Sequence, residues 1–335
     1  MDERVIKEIK STADCLCTYA EKGRAIGSLV TVTEPIMAHE PKLELLKPLK
    51  VFSSVDKVFA AVDCSTIPLM RGNNFGAYVF RVAATLVKPQ SGKEVNWSYE
   101  EHFQSVVGNE VHRKARLQSI RFDYESKMGL PLLDKLDRDD YLILDGGSYF
   151  GGTRGFSVSL YEECRKRGIK LLTVSKKTQS TMTSKGTDFL ATLLTKCMDK
   201  GVWLYHPFAK AKSDEHLYGD ISFIKLNLLT PIAFRCDIME YLADTDLVEL
   251  VSPLTALSQD ARCFGYPVCL YLAHHFTKTA SPKLTYYREV LERELREKHP
   301  DALRKLLVEE MLANFRSQVL YGAKHLWDWE GSEIV

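Results

Sequence analysis

Three apolar runs close together in the first third of the chain most constrain its fold. The first ends in VFAAVDCS, and the other two are FGAYVFRVAATLV at 75–87 and VNWSY at 95–99. All three are rich in aromatic, β-branched or small apolar residues, and the short turns between them are typical of strands joined as hairpins. We therefore predict an antiparallel meander of three strands.

Helical and strand-like segments alternate in the next part of the chain. The segment from about 99 to 136 is long and charged, and we predict a helix there with one break at Gly129-Leu130-Pro131. Further strands are predicted at 141–145, 169–175 and 202–206, with helices at 156–167 and 184–199. An antiparallel triplet followed by alternating units predicts an α/β fold in which helices pack on a mixed sheet.

The rest of the chain is less regular and richer in helix. We predict a strand pair within 221–238 and a candidate strand at 247–252, where the sequence is LVELVS. The segment 265–278 begins with a turn and continues as a helix. Residues 284–322 have the leucine spacing of a helical layer packed against a core.

Composition argues against several classes of protein. Of the 335 residues, 45% are hydrophobic and 27% charged, as in an ordinary globular protein. No apolar run approaches the roughly 18–20 residues of a membrane span, and the charged N-terminal segment MDERVIKEIKSTADCLC lacks a signal-peptide core. The eight cysteines form no CxxC pair, which argues against a zinc ribbon. We expect a cytoplasmic protein without a membrane partner.

Two aspartates stand at the ends of apolar runs and suggest a site. Asp63 closes VFAAVD, and Asp145 closes YLILD. A buried carboxylate is costly unless it is paired or holds a metal. Two of them on neighbouring strand ends would form one acidic point suited to Mg²⁺ or Mn²⁺. The alternative is that each aspartate simply begins a turn, where Asp and Gly are common.

A third acid is expected from the helical segment between these strands. Glu110, Asp123 and Glu125 are the candidates, and we favour Glu125. It lies twenty residues before Asp145, enough for the end of a helix and a turn into the next strand.

Later segments add a histidine, a tyrosine and lysines to the candidate site. His274 lies on an apolar helix, and His275 points about 100° away around it, so one of the two can face the site. Tyr266 precedes that helix as a ligand contact or a core residue. Lys176 and Lys177 follow a predicted strand, at the edge where α/β sheets bind ligands, either to stabilise a phosphate or as an exposed turn.

At these residues the chain resembles the NurA nuclease family, which has an RNase H-like core. The motifs, in order, are AVDCS, RFDYE, LILDGGS, VSKK and GYPVCLYLAH. They carry Asp63, Glu125, Asp145, Lys176 or Lys177, Tyr266 and His274. The resemblance spans about residues 55–280. Cys64 replaces a glycine of the family, which would tighten a turn after the first aspartate, and LDGGS has an added glycine before Ser148.

The resemblance implies a DNA exonuclease or endonuclease that requires Mn²⁺ or Mg²⁺. It implies that Asp63, Glu125 and Asp145 hold the metal, that His274 is a further ligand or a proton-transfer group, and that Lys176 or Lys177 contacts a phosphate. It also implies a homodimer bound to a HerA-type hexameric ATPase, acting in DNA end processing or in defence against foreign DNA. A net charge of +1 fits delivery to DNA by such a partner.

The extent of this resemblance suggests how the chain is divided. Residues 1–50 would form an N-terminal helical extension, 51–282 the RNase H-like nuclease domain, and 283–335 helices and a tail packed on that domain.

Three other functions are open alternatives. A metal-dependent adhesion module would need a DxSxS turn, but Ile67 occupies its last position. An actin-like or sugar-kinase-like ATPase shares the broad topology and a DGG segment at 145–147, but the first strand lacks a glycine-rich phosphate loop. A catalytically inactive scaffold of a HerA-type complex would have the same fold.

Overall fold

The computed structural model describes residues 3–22, 37–90, 94–152, 155–176, 181–184 and 187–321. The strands within these residues are β1 (Met37–Ala38), β2 (Leu46–Pro48), β3 (Phe59–Arg71), β4 (Phe75–Lys88), β5 (Glu94–Val107), β6 (Tyr141–Asp145), β7 (Lys170–Ser175), β8 (Thr181–Met182), β9 (Trp203–Ala209), β10 (Gly219–Lys225) and β11 (Phe234–Met239). The helices are α1 (Glu3–Lys22), α2 (Glu110–Leu132), α3 (Val158–Arg167), α4 (Phe189–Lys196), α5 (Leu247–Val251), α6 (Val268–Phe276), α7 (Ser281–Lys298) and α8 (Pro300–Tyr321).

One mixed sheet organises the part of the chain that the structure describes. Its nine strands lie in the order β2-β9-β10-β11-β7-β6-β3-β4-β5. Strands β3, β4 and β5 are antiparallel neighbours, as predicted, whereas β6 is parallel to β3 and β7 is parallel to β6. The predicted α/β class, a mixed sheet flanked by helices with further helices towards the C-terminal end, is confirmed.

Helices α2 and α6 cover opposite faces of the β3–β5 meander. Successive side chains of a strand point to opposite faces. Phe80 of β4 contacts the ring of Tyr124 on α2. Thr85, an odd number of positions away on the same strand, donates its hydroxyl hydrogen bond to the Cys269 carbonyl of α6, at 2.8 Å. The site described below lies where side chains from both helices reach the same strand.

An apolar cluster joins α1, α7 and α8 to the C-terminal end of β3, the N-terminal half of β4 and the C-terminal half of β5. Its fully buried members include Ile9, Leu16, Phe75, Leu291 and Leu295. Apolar burial of this kind contributes about 25 cal/mol per Å². The proposed boundaries 1–50, 51–282 and 283–335 remain a prediction, and residues 23–36 and 322–335 lie outside the described ranges.

Two secondary-structure predictions are wrong in part. Residues 99–107 belong to β5, because β5 pairs with β4 along its whole length and edge pairing accommodates its charged side chains. The helix begins only at Glu110, where the Asn109 side chain caps it by accepting a hydrogen bond from the His112 amide, at 2.9 Å. It has no break at 129–131, since Pro131 lies in its last turn, next to its end.

The strand predicted at 247–252 is also wrong. Residues Leu247–Val251 form α5, because the Asp246 side chain accepts hydrogen bonds from the Val248 and Glu249 amides and so starts a helix. The strand pair within 221–238 is confirmed as β10 and β11, and the turn and helix at 265–278 as the segment leading into α6. Among the described helices, none is both long and apolar enough to cross a membrane.

Candidate active site

Asp63 and Asp145 meet where two parallel strands stop pairing. The last pair between β3 and β6 is Val62 with Leu144, so each aspartate is the next residue of its strand. Asp145 ends β6, as predicted. Asp63 does not end its strand, because β3 continues to Arg71 against β4. The prediction that the run closes at Asp63 is therefore wrong, and no turn follows for Cys64 to tighten.

Asp63 is buried and is held by two hydrogen bonds and one ion pair. His274 Nδ1 lies 2.7 Å from its Oδ2, and Arg121 Nη2 lies 3.5 Å from its Oδ1. The Cys64 amide donates to the same Oδ1 at 2.9 Å. Burial by itself would raise the pKa of Asp63, but the hydrogen bond from His274 and the charge of Arg121 hold that pKa below its ordinary value.

Glu125 reaches the same place from the middle of α2. Its side chain is 3% exposed, and its nearest cation is Arg121, whose Nη2 lies 3.8 Å from Oε1. Burial raises the pKa of Glu125 well above its ordinary value. Arg121 offsets only part of this rise, and the negative charges of Asp63 and Asp145 add to it. A rise of this kind is expected where carboxylates share a buried space.

The two other acids considered on α2 lie elsewhere. Glu110 is in the first turn and pairs with Lys114 at 3.1 Å, with 59% of its side chain exposed. Asp123 is exposed and pairs with Lys127 at 2.7 Å. The structure thus brings Glu125, and neither alternative, to the two aspartates.

Asp145 has a cation and a phenol beside it. Lys176 Nζ lies 3.2 Å from Asp145 Oδ2 and 5.1 Å from the centre of the Tyr266 ring. Burial raises the pKa of Asp145, and Asp63 adds to the rise while Lys176 opposes it. Tyr266 donates to the Val174 carbonyl at 3.2 Å, and burial raises its pKa well above the ordinary value, so it stays neutral. Lys177 lies outside the described residues.

One residue of the cluster was missed by the sequence analysis. Arg121 contacts both Asp63 and Glu125, and the three carboxylates raise its pKa against the opposing effect of burial. Its position four residues before Glu125 places both on one face of α2, and that spacing is the signal that could have identified it. His275, by contrast, is exposed and contacts the edge of Phe276.

The carboxylate cluster suits a divalent cation by its donor chemistry. Carboxylate oxygens are the ligands that Mg²⁺ and Mn²⁺ prefer. Burial is the largest cause of the raised pKa values of Glu125 and Asp145, and the neighbouring carboxylates add to the rise. Within the described ranges, however, no three His, Cys, Asp or Glu side chains are arranged to hold a metal ion. Asp63 and Asp145 are instead paired with protein donors.

A buried ion pair supports the turn after Asp145. Arg235 and Asp237 of β11 make two hydrogen bonds with each other, both 2.7 Å. Asp237 Oδ2 also accepts from the amide and the hydroxyl of Ser148, at 2.8 and 2.9 Å. Gly146, between Asp145 and Ser148, has a φ of +131°, a conformation that favours glycine. The turn that carries Asp145 is therefore tied to a strand two places away in the sheet.

No protein-family model and no curated protein matches the sequence. The catalytic domain of human Endonuclease V is similar in structure, at 12% identity and a TM-score of 0.40, covering 80% of this chain and 93% of that one. Ciona intestinalis Endonuclease V in complex with DNA is similar at 10% identity and a TM-score of 0.42, covering 69% of this chain and 86% of that one. A. aeolicus Argonaute is similar at 11% identity and a TM-score of 0.30, covering 71% of this chain and 30% of that one. Likeness at this level does not extend those proteins' activities to this one.

Proposed function

We propose that this protein is a metal-dependent nuclease that hydrolyses phosphodiester bonds of DNA. The observation that supports it best is the convergence of Asp63, Glu125 and Asp145. They come from two strands and a helix that are far apart in sequence. Asp63 and Glu125 are buried, Asp145 is 22% exposed, and the charges of the two aspartates both raise the pKa of Glu125. A fold does not ordinarily bring three carboxyl groups together in this way unless their charge has a use.

Each residue of the cluster has a role in this proposal. Asp63, Glu125 and Asp145 would hold Mn²⁺ or Mg²⁺, which when bound supplies positive charge to the phosphate undergoing attack. Lys176, beside Asp145, adds a second positive charge next to that phosphate. The hydrogen bond of His274 to Asp63 favours the ionised form of Asp63 and orients it, and in this proposal His274 would be a further ligand or a proton-transfer group.

The finer parts of the proposal depend on the resemblance to the NurA family. From it we propose a homodimer that works with a HerA-type hexameric ATPase, in DNA end processing or in defence against foreign DNA. The dimer and its complex with the ATPase are tested by measuring the mass of the purified protein by light scattering, alone and with a HerA-type ATPase. A monomer that does not bind the ATPase would remove this part and leave the nuclease proposal intact.

The main test is a cleavage assay with single-stranded and duplex DNA in Mn²⁺, Mg²⁺ or chelator, with and without the ATPase. We expect cleavage with Mn²⁺ or Mg²⁺ and none with chelator. Asp63→Asn and Asp145→Asn should each abolish it, because the amide keeps the shape of the side chain but removes the negative charge that binds the cation.

Matched controls on α2 separate the site from general damage. Asp123→Asn and Glu110→Gln remove one exposed acid each and should retain full activity. All variants should keep the circular dichroism spectrum of the parent protein. Folded parent protein that cleaves no DNA under any of these conditions would make it an inactive scaffold and end the proposal.

A further inference from the structure

Arg121 is the more exposed partner in its contacts with two buried carboxylates. Its side chain is 38% exposed, whereas those of Asp63 and Glu125 are 2% and 3% exposed. The guanidinium group can therefore be reached from solvent, as can the His274 side chain, which is 34% exposed.

The contacts of Arg121 are loose for a buried charge cluster. Charge-assisted hydrogen bonds between nitrogen and oxygen are usually about 2.7–2.9 Å long. Arg121 Nη2 lies 3.5 Å from Asp63 and 3.8 Å from Glu125, and its Nε has no hydrogen-bond partner in the described part of the chain. The guanidinium thus balances charge without being locked in place, and its buried Nε is an unsatisfied donor among the described residues.

A guanidinium at this position and a divalent cation compete for the same oxygens. Two positive groups a few ångströms apart in a poorly solvated space repel each other strongly. A DNA phosphate, in turn, offers arginine two acceptor oxygens in the geometry its fork prefers.

We infer that Arg121 is an internal counter-cation that weakens metal binding until a DNA phosphate draws it off the carboxylates. This inference depends on the proposed function, since it assumes that metal and DNA use this site. By linkage, DNA then raises the affinity for the metal, and the metal raises the affinity for DNA by the same factor.

The test is a titration of DNA-free protein with Mn²⁺, in which bound and free ion are separated by electron paramagnetic resonance. Arg121→Gln should bind Mn²⁺ about 5–150-fold more tightly than the parent protein, the usual range of such couplings. Lys127→Gln is the matched control, because it removes one positive charge from an exposed position of the same helix and should bind as the parent does.

A second arm adds a phosphorothioate oligonucleotide, with its integrity checked on a gel. It should tighten Mn²⁺ binding by the parent protein and do so much less for Arg121→Gln. If Arg121→Gln fails to fold, the DNA effect on the parent protein still decides, because a Mn²⁺ affinity that DNA leaves unchanged overturns the inference.

The outcomes distinguish the inference from the function it depends on. If Asp145→Asn abolishes Mn²⁺ binding but Arg121→Gln binds no more tightly than the parent, the inference is wrong and the metal site stands. If Asp145→Asn and Asp63→Asn bind Mn²⁺ as the parent does, the metal lies elsewhere and both proposals fail.

Discussion

At the scale of single residues, the candidate site separates its three carboxyl groups by environment. Glu125 and Asp145 have raised pKa values, while the pKa of Asp63 is lowered by His274 and Arg121 in spite of burial. Asp63 is thus the group most readily ionised before any metal arrives. Burial, with a smaller contribution from the neighbouring carboxylates, raises the pKa values of the other two, and a bound cation would favour their ionised forms.

Lys176 provides a prediction at this scale. Lys176→Gln should lower the rate of DNA cleavage about 100- to 1,000-fold, the usual cost of removing one group that stabilises developing charge. Lys170→Gln, at the opposite end of β7 and paired with Asp139, should leave the rate unchanged. Single-turnover cleavage by protein saturated with DNA measures this directly. Equal rates for the two variants would remove Lys176 from the mechanism.

At the scale of elements, the turn after β6 depends on β11. Asp237 is fully buried and binds both Arg235 and Ser148, so it connects the Asp145 turn to the sheet. No short sequence motif joins residues 148 and 237, and their partnership arises only because β11 lies beside β7, the neighbour of β6.

Asp237→Ala should destabilise the protein by about 3–5 kcal/mol, because it leaves the buried Arg235 guanidinium without its partner. The double variant Arg235→Met/Asp237→Leu should recover most of that loss, since apolar side chains replace both charges. Urea unfolding followed by circular dichroism gives both values. A double variant no more stable than the single one would show that the loss comes from the turn and not from the unpaired charge.

The pairing of β9 with β10 gives a prediction about pH. Burial lowers the pKa of His206 to about 4, and its Nδ1 lies 2.8 Å from Ser222 Oγ. A histidine with a lowered pKa stabilises the fold above its unfolded pKa of about 6.5, and that stability is lost as the pH falls through about 4.

His206→Gln should therefore remove the part of the stability loss at low pH that comes from His206. That part amounts to no more than about 3 kcal/mol of unfolding free energy between pH 6.5 and pH 4, the unfolded and folded pKa values of His206. The comparison is between unfolding free energies at pH 7 and pH 4.5 for the parent protein, His206→Gln and the exposed control His275→Gln. The parent and the control should lose similar amounts, and His206→Gln less. A His206→Gln loss as large as the parent's would contradict the prediction.

At the scale of the whole molecule, α1, α7 and α8 pack together on the meander. Residues from both ends of the described chain share one apolar cluster with Phe75 of β4, although 258 residues lie between α1 and α7 in sequence. This arrangement indicates that α1, α7 and α8 depend on the sheet for stability.

Leu291→Ala should lower the free energy of unfolding by about 2–5 kcal/mol, since the side chain is fully buried in this cluster. Leu312→Ala, at an exposed position of α8, should change it by about 0.5 kcal/mol or less. Thermal unfolding followed at two wavelengths should show one transition for each variant. A separate early transition in Leu291→Ala would indicate that the terminal helices unfold on their own.

The sequence by itself determined the strands of the meander, the alternation after it and the acids worth considering. Those features depend on local periodicity and residue type, and both are set by residues that are close together in sequence. Local pattern failed at 99–107 and at 247–252, where pairing with β4 and the Asp246 cap decided the outcome.

Only the tertiary structure decided which charged groups meet. Asp63 and Glu125 are 62 positions apart, and Asp237 is far from Ser148, so neither contact follows from spacing along the chain. Arg121 lay within the segment that the sequence singled out, four residues before Glu125, but a helical arginine with this spacing is usually solvated. Its role follows from the packing of α2 on β3, which brings one partly exposed guanidinium to the buried carboxylates of Asp63 and Glu125.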